Sequence, residues 1–354
     1  MFGTLLTAAI ALVASFALTV PVRRLALQVG LVDQPAARKL HLEPVPLLGG
    51  LAIYCGVVLA LVVSLNGHLE EQTAGILAGA TLLGVVGLLD DRGVLHHQVK
   101  LMVAMPVAGA ILLVSGIRAD VFTPLVPSYG PALDVALTLL WVVGITAAFS
   151  ILDHMDGLCA GVAAIAAAYF TLFAWLDGQS AVRVLSAATL GAAAGFLRWN
   201  FSPAKIFMGD SGAMFLGFLM ATLGLKIRPG WMPHATAWMA PVFILLVPVF
   251  DTFLVTLSRL RRGLLPFASP GKDHTAHRLS NLGCGHRGAV IALYGLGAVG
   301  GGLAVVVGYW RTPASYAVAA VVAAAALAAT AYLETAPFES QGKPCRPESL
   351  PPHG

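Results

Sequence analysis

Charge is scarce in this sequence: Lys, Arg, Asp and Glu make up 11% of its 354 residues, against about 25% in soluble domains. With 58% hydrophobic residues and a mean hydropathy of +0.84, the shortage excludes a soluble domain and specifies an integral membrane protein. Cysteine is sparse too. Cys55, Cys159, Cys284 and Cys345 lie far apart with no CxxC pair, so neither a zinc site nor a disulfide framework is indicated. A basic leader and an A-x-A cleavage site are both missing around the apolar stretch 5–20, so a retained first span is expected. No internal repeat is evident. The net charge of +4 is small, and no nucleic-acid partner is expected.

Apolar runs of about 17 residues or more suit bilayer-spanning helices. Eleven are present, near 3–20, 48–65, 73–89, 100–117, 134–150, 159–176, 181–198, 211–227, 235–257, 288–309 and 314–333. The expected fold class is therefore all-α and polytopic, as one integral-membrane domain over 1–333. The Pro-rich polar stretch 334–354 is expected to be a disordered tail. Alternating sides gather sixteen Lys and Arg residues on one face and five on the other. The positive-inside rule makes the richer face cytoplasmic, with the N-terminus outside and the C-terminus inside.

Loops on the poorer face look like plain connectors, whereas those on the richer face each hold a polar cluster. Arg38-Lys39-Leu40-His41 precedes Pro44, Pro46 and Gly49-Gly50; its cations suit an anionic lipid headgroup or serve as a membrane anchor. Asp90-Asp91 ends the third span, where the helix dipole and mutual repulsion disfavour both carboxylates. Arg92 or Mg²⁺ would compensate them, unless the pair simply stops the span. Asp153 and Asp156, three apart, share a helix face and form either a second acidic wall or a solvated turn. Asp210 or Ser211, within Lys205-Ile206-Phe207-Met208-Gly209-Asp210-Ser211-Gly212, can cap the following helix. A carboxylate beside a lysine at the membrane edge also suits Mg²⁺ shared with phosphate oxygens. His274 and His277 are three apart beside Lys272, Asp273 and Arg278, which suits a diphosphate or an ordinary basic loop. Asp251 falls within a span, a costly place, as a functional group or the partner of a buried cation. His96-His97 reads as loop. The polar chemistry thus gathers on one face of the membrane.

In this order the clusters resemble the polyprenyl-phosphate N-acetylhexosamine-1-phosphate transferase family from Arg38 to about Leu282. Arg38-Lys39-x-His41 with Pro46 and Gly49-Gly50, Leu88-Leu89-Asp90-Asp91-Arg92, and Asp153-His154-Met155-Asp156-Gly157-Leu158 are each similar to a family motif. So are Asn200 with Pro203-Ala204 and 205–212, and Asp273-His274-Thr275-Ala276-His277-Arg278-Leu279. Four positions depart: Ala147 and Ser150 stand where asparagines are usual, His154 where Gly is more frequent, and Ala276 where a third His often stands. No His-rich loop of the muramoyl-pentapeptide branch is visible, so the chain looks closer to the undecaprenyl-phosphate N-acetylglucosaminyl-1-phosphate transferases.

The resemblance implies transfer of N-acetylhexosamine-1-phosphate, most simply GlcNAc-1-phosphate, from a UDP-sugar to polyprenyl phosphate in a bacterial inner membrane. UMP is released on the cytoplasmic face. It implies Mg²⁺, with Mn²⁺ as a substitute, on Asp210 and Asp91. Asp90 would activate or position the lipid phosphate. His274, His277 and Arg278, assisted by Lys205, would hold the diphosphate, and Asp153, Asp156 and Asn200 would line the nucleotide side. The lipid headgroup would lie near Lys39 and His41. A homodimer is compatible with this reading, as are one-step and two-step routes. The competing classes are a transporter, for which the acidic residues sit too near the span ends, and an inactive scaffold.

Overall fold

The computed structural model describes residues 2–33, 44–67, 70–95, 97–265, 271, 273–310 and 312–336. Lys39, His41 and the stretch 337–354 lie outside them. The chain folds as α1 (Phe2–Gln28), a short antiparallel pair β1 (Val32–Asp33) and β2 (Val45–Pro46), α2 (Gly49–Ser64) and α3 (Glu71–Asp91). Next come α4 (Lys100–Val114), α5 (Gly130–Leu152), α6 (Leu158–Leu176), α7 (Ser180–Asn200) and α8 (Gly209–Lys226). The chain continues through α9 (His234–Ile244), α10 (Leu246–Arg261), α11 (Thr275–Tyr309) and α12 (Thr312–Leu333). Seven of these helices are long and apolar enough to cross a membrane, and the pair α9–α10 makes an eighth if it counts as one span. The protein is a helical, multi-pass membrane protein.

The bundle is organised around α8. Apart from Asp210, Ser211 and the closing Lys226, its sequence is apolar or small all round, the pattern of a helix enclosed by others. Every residue from Ser211 to Gly224 is buried, packed by α2, α3, α5 and α6. Small residues permit the close approach: Gly50 of α2 and Gly212 of α8 meet backbone to backbone, where a Cβ has no room. The strand-like entry to α8 is tied to the entry to α2, since Phe207 N donates to Pro46 O (2.8 Å) and Gly49 N to Phe207 O (3.0 Å). These ties fix where Asp210 stands at the start of α8.

Three expectations change. The apolar run 235–257 is not one straight span: α9 and α10 meet at 78° around Leu245. Pro248 lacks the N–H that would bond back to Ile244, and uniform hydropathy hides the break. The stretch around His277 is also no plain loop. Thr275–Leu279 is a helical turn continuing through a π-helical segment into α11, interrupted where Gly283 adopts a φ of 104°. His97 likewise begins a helical turn, His97–Val99, that leads into α4.

Candidate active site

Four aspartates from separate segments converge at one end of the bundle. The C-terminus of α3 presents Asp90 and Asp91, the turn after α5 presents Asp153, and the first turn of α8 presents Asp210. Asp91 accepts from the backbone N–H groups of Asp210 (2.8 Å) and Ser211 (3.2 Å). It therefore caps α8 from a neighbouring helix, and neither Asp210 nor Ser211 caps α8 with its own side chain. The dipole that disfavours a carboxylate at the end of α3 is answered by the positive end of α8. Gly209, at φ +72°, makes room: a Cβ there would lie 2.5 Å from Asp91 Oδ2.

The compensating cation is Lys100, not Arg92. Its Nζ, near the start of α4, donates to Asp90 Oδ2 at 2.7 Å and to Asp210 Oδ2, while Arg92 is exposed. The sequence gives little warning, because a lysine opening an apolar run reads as a membrane anchor. Ser150, one of the departing positions, donates from Oγ to Asp210 Oδ1 at 2.6 Å. Asp210 thus has both oxygens engaged, one by a hydroxyl and one by an ammonium. Asp153, just beyond α5, is pushed well above the usual carboxylate range, first by burial and then by Asp210, Asp91 and Asp156. The cluster carries more negative charge than one lysine neutralises.

A second cluster adjoins it through His154. That ring lies 4.7 Å from His274, stacked at 28°, and 4.8 Å from His277. His154 Nδ1 meets Ile151 O at 2.8 Å, and burial followed by the neighbouring His274 lowers its pKa to about 3; it is neutral. His274 is oriented by Asp251 of α10, whose Oδ2 lies 2.9 Å from Nδ1 and whose Oδ1 accepts from Thr275 N at 2.7 Å. Asp251 partners an imidazole here, and Arg259 serves a different carboxylate: Arg259 and Arg262 both bind Asp273 at 2.7–2.9 Å. Burial alone would raise Asp273, but these arginines hold it well below the usual range.

The remaining expected residues lie at the margins. Asn200, buried, accepts from Gly157 N at 3.0 Å and donates to Ile206 O at 3.1 Å. Asp156 accepts from Ala204 N at 3.0 Å. Together they hold the 201–206 turn. Lys205 is exposed with its Nζ 5.6 Å from the Trp199 ring centre. Arg278 departs most from expectation. Fully buried, its guanidinium bonds Asp273 O, Ser258 Oγ, Leu333 O and Glu334. It fastens α10, the α11 entry and the end of α12 together. Asp134, the other aspartate near the interior, accepts from Val121, Phe122 and Thr123 N–H groups and shapes the loop before α5.

Among the described residues, no three His, Cys, Asp or Glu side chains form a ready metal cage. The cluster instead offers a few carboxylates at the mouth of the bundle. That donor set fits Mg²⁺, which takes one or two carboxylates and fills its octahedron with water and phosphate oxygens.

A family model described as glycosyl transferase family 4 matches residues 73–228. The chain is 37% identical over 286 residues to a probable undecaprenyl-phosphate N-acetylglucosaminyl 1-phosphate transferase of Bacillus subtilis, covering 78% of this chain and 77% of that one. It is 33% identical over 309 residues to a decaprenyl-phosphate N-acetylglucosaminephosphotransferase of Mycobacterium tuberculosis, covering 78% and 75%. It is 28% identical over 280 residues to the undecaprenyl-phosphate alpha-N-acetylglucosaminyl 1-phosphate transferase of Escherichia coli, covering 77% and 75%. With the aspartate-bearing helices α3, α5 and α8 inside the matched region, the chain belongs to glycosyl transferase family 4.

Proposed function

We propose that this protein transfers GlcNAc-1-phosphate from UDP-GlcNAc to a polyprenyl phosphate on the cytoplasmic face of a bacterial plasma membrane, releasing UMP. The observation that carries the reading is the convergence of Asp90, Asp91, Asp153 and Asp210, with the Lys100 ammonium bonded to Asp90 and Asp210. The names of the similar proteins supply the acceptor and the sugar. In this reading the shorter apolar helices α2 and α4, the buried α8 and the bent pair α9–α10 complete eleven spans. The N-terminus is then outside, and the aspartates face the cytoplasm.

The reaction joins two anions. An oxygen of the lipid phosphate bonds to the β-phosphorus of the UDP-sugar, the bond from that phosphorus to the bridging oxygen breaks, and UMP departs with its electron pair. Positioning and charge neutralisation supply most of the rate. Mg²⁺ would be held by Asp210, with Asp91 and Asp90 beside it, and would supply a positive charge for the diphosphate oxygens. Lys100 presents a second cation at the same place. Asp90, held by Lys100 through Oδ2, positions the acceptor phosphate, which needs little help to ionise near neutral pH. His274, oriented by Asp251, and His277 bind the diphosphate from the α11 side. Arg278 is committed to packing and takes no part. Both oxygens of Asp210 and both of Asp91 already accept hydrogen bonds, which blunts them as nucleophiles and favours direct displacement over an aspartyl-phosphate.

The test is UMP release by purified protein in detergent. Release from UDP-GlcNAc that requires undecaprenyl phosphate is expected. Folded protein that releases no UMP from any UDP-N-acetylhexosamine would overturn the assignment.

A further inference from the structure

Away from the aspartates, the C-terminal end of α7 and the turn after it enclose a cavity of about 500 Å³. One part of its lining is apolar: Ala194 and Leu197, three apart on one face of α7, and Phe201 just beyond its end. The other part carries the cations Arg198 and Lys205, both exposed. Trp199 supports Lys205, with Nζ 5.6 Å from the ring centre, and its own indole N–H donates to Phe16 O of α1 at 3.1 Å. A third cation comes from α1, where Arg23 Nε donates to Lys205 O at 3.0 Å. A groove that is apolar along a spanning helix and cationic at that helix's end has the polarity of one ligand class: a lipid with an anionic phosphate head.

We propose that this cavity binds an anionic phospholipid, with the phosphate between Arg198 and Lys205 and an acyl chain along Ala194 and Leu197. Basic residues near an anionic leaflet each contribute to such binding, and an indole at the interface is a common companion. The ligand is distinct from the reacting lipid phosphate, because none of the clustered aspartates lines this cavity. Asp156 and Asn200 grip that turn through Ala204 N and Ile206 O, and the lipid meets it at Phe201 and Lys205. An occupied cavity therefore steadies the turn that leads into Asp210.

Native mass spectrometry of the delipidated full chain, titrated with phosphatidylglycerol or phosphatidylcholine, tests this. The expected result is one phosphatidylglycerol bound more tightly than the rest, with no equivalent for phosphatidylcholine. Arg198→Ala and Lys205→Ala should each weaken it about fivefold, and the double variant about 25-fold. Arg287→Ala, an exposed arginine at the start of the long part of α11, should leave it unchanged. Equal retention of both lipids, or unchanged binding in the double variant, would overturn the proposal. Displacement of phosphatidylglycerol by millimolar glycerol 3-phosphate would also overturn it, assigning the cations to a soluble phosphate. The readout is independent of UMP release, so its failure and that of the proposed reaction are told apart.

Discussion

The two polar clusters of this bundle neutralise their charge in opposite ways. Around Asp210, four aspartates from three segments converge with one lysine, which bonds Asp90 and Asp210, so acidic groups outnumber cations. Around His274, the acids and bases are matched within the protein: Asp251 serves His274, Arg259 and Arg262 serve Asp273, and Arg278 pairs with Glu334. The first arrangement has an unmet need for cations, which metal and substrate can satisfy. The second is balanced internally, and that balance holds His274 in place beside the first.

Substitutions should separate the two. The largest effect is expected from Asp210→Asn, which removes the carboxylate charge that would hold Mg²⁺ against the diphosphate. It should lower kcat by about 10³-fold or more, with the melting temperature near that of the parent. Arg278→Ala attacks the balanced cluster and leaves Ser258, Asp273 O and Leu333 O unpaired in the interior. A loss of about 3–5 kcal/mol is expected, seen as poor folded yield and a lower melting temperature; a stable variant with selectively raised KM would return Arg278 to the substrate. Lys100→Gln should cost roughly 10²-fold in kcat/KM, since amide hydrogen bonds to Asp90 and Asp210 survive without the charge.

Smaller effects sharpen the boundary. His154→Gly removes two ring contacts from the His274 and His277 side, and KM for the nucleotide sugar should rise several-fold while kcat moves less. Asp153→Asn should stabilise the protein. Its folded pKa is raised, so its charged form is the costly one, and stability declines as pH rises from the unfolded value near 4. In metal-free buffer at pH 7.5 a gain of about 1–2 °C is expected, shrinking as the pH is lowered. A loss of stability at pH 7.5 would mean the carboxylate is satisfied as an anion.

Much of this was legible in the amino-acid order. Asp90, Asp91, Asp153 and Asp210 stand out because carboxylates at span ends are costly, and the structure brings all four together. Their partners were not legible. Lys100 sits nine residues beyond Asp91 and looks like an anchor, while Ser150 is an ordinary residue in an apolar helix. The Asp251–His274 pair joins positions 23 apart across the α10–α11 connection, which no local spacing reveals. Arg278 misleads for a related reason: beside two histidines it reads as a phosphate ligand, and only the return of α12 to Leu333 turns it inward. The bend at Leu245 escapes hydropathy because both arms are equally apolar.

Bound Mn²⁺, read by electron paramagnetic resonance as a stand-in for Mg²⁺, is the most direct test of the excess-charge cluster. The account predicts one ion per chain in the presence of UDP-GlcNAc, lost in Asp210→Asn and retained in His277→Asn. Retention of the ion by Asp210→Asn at the parent affinity would contradict it.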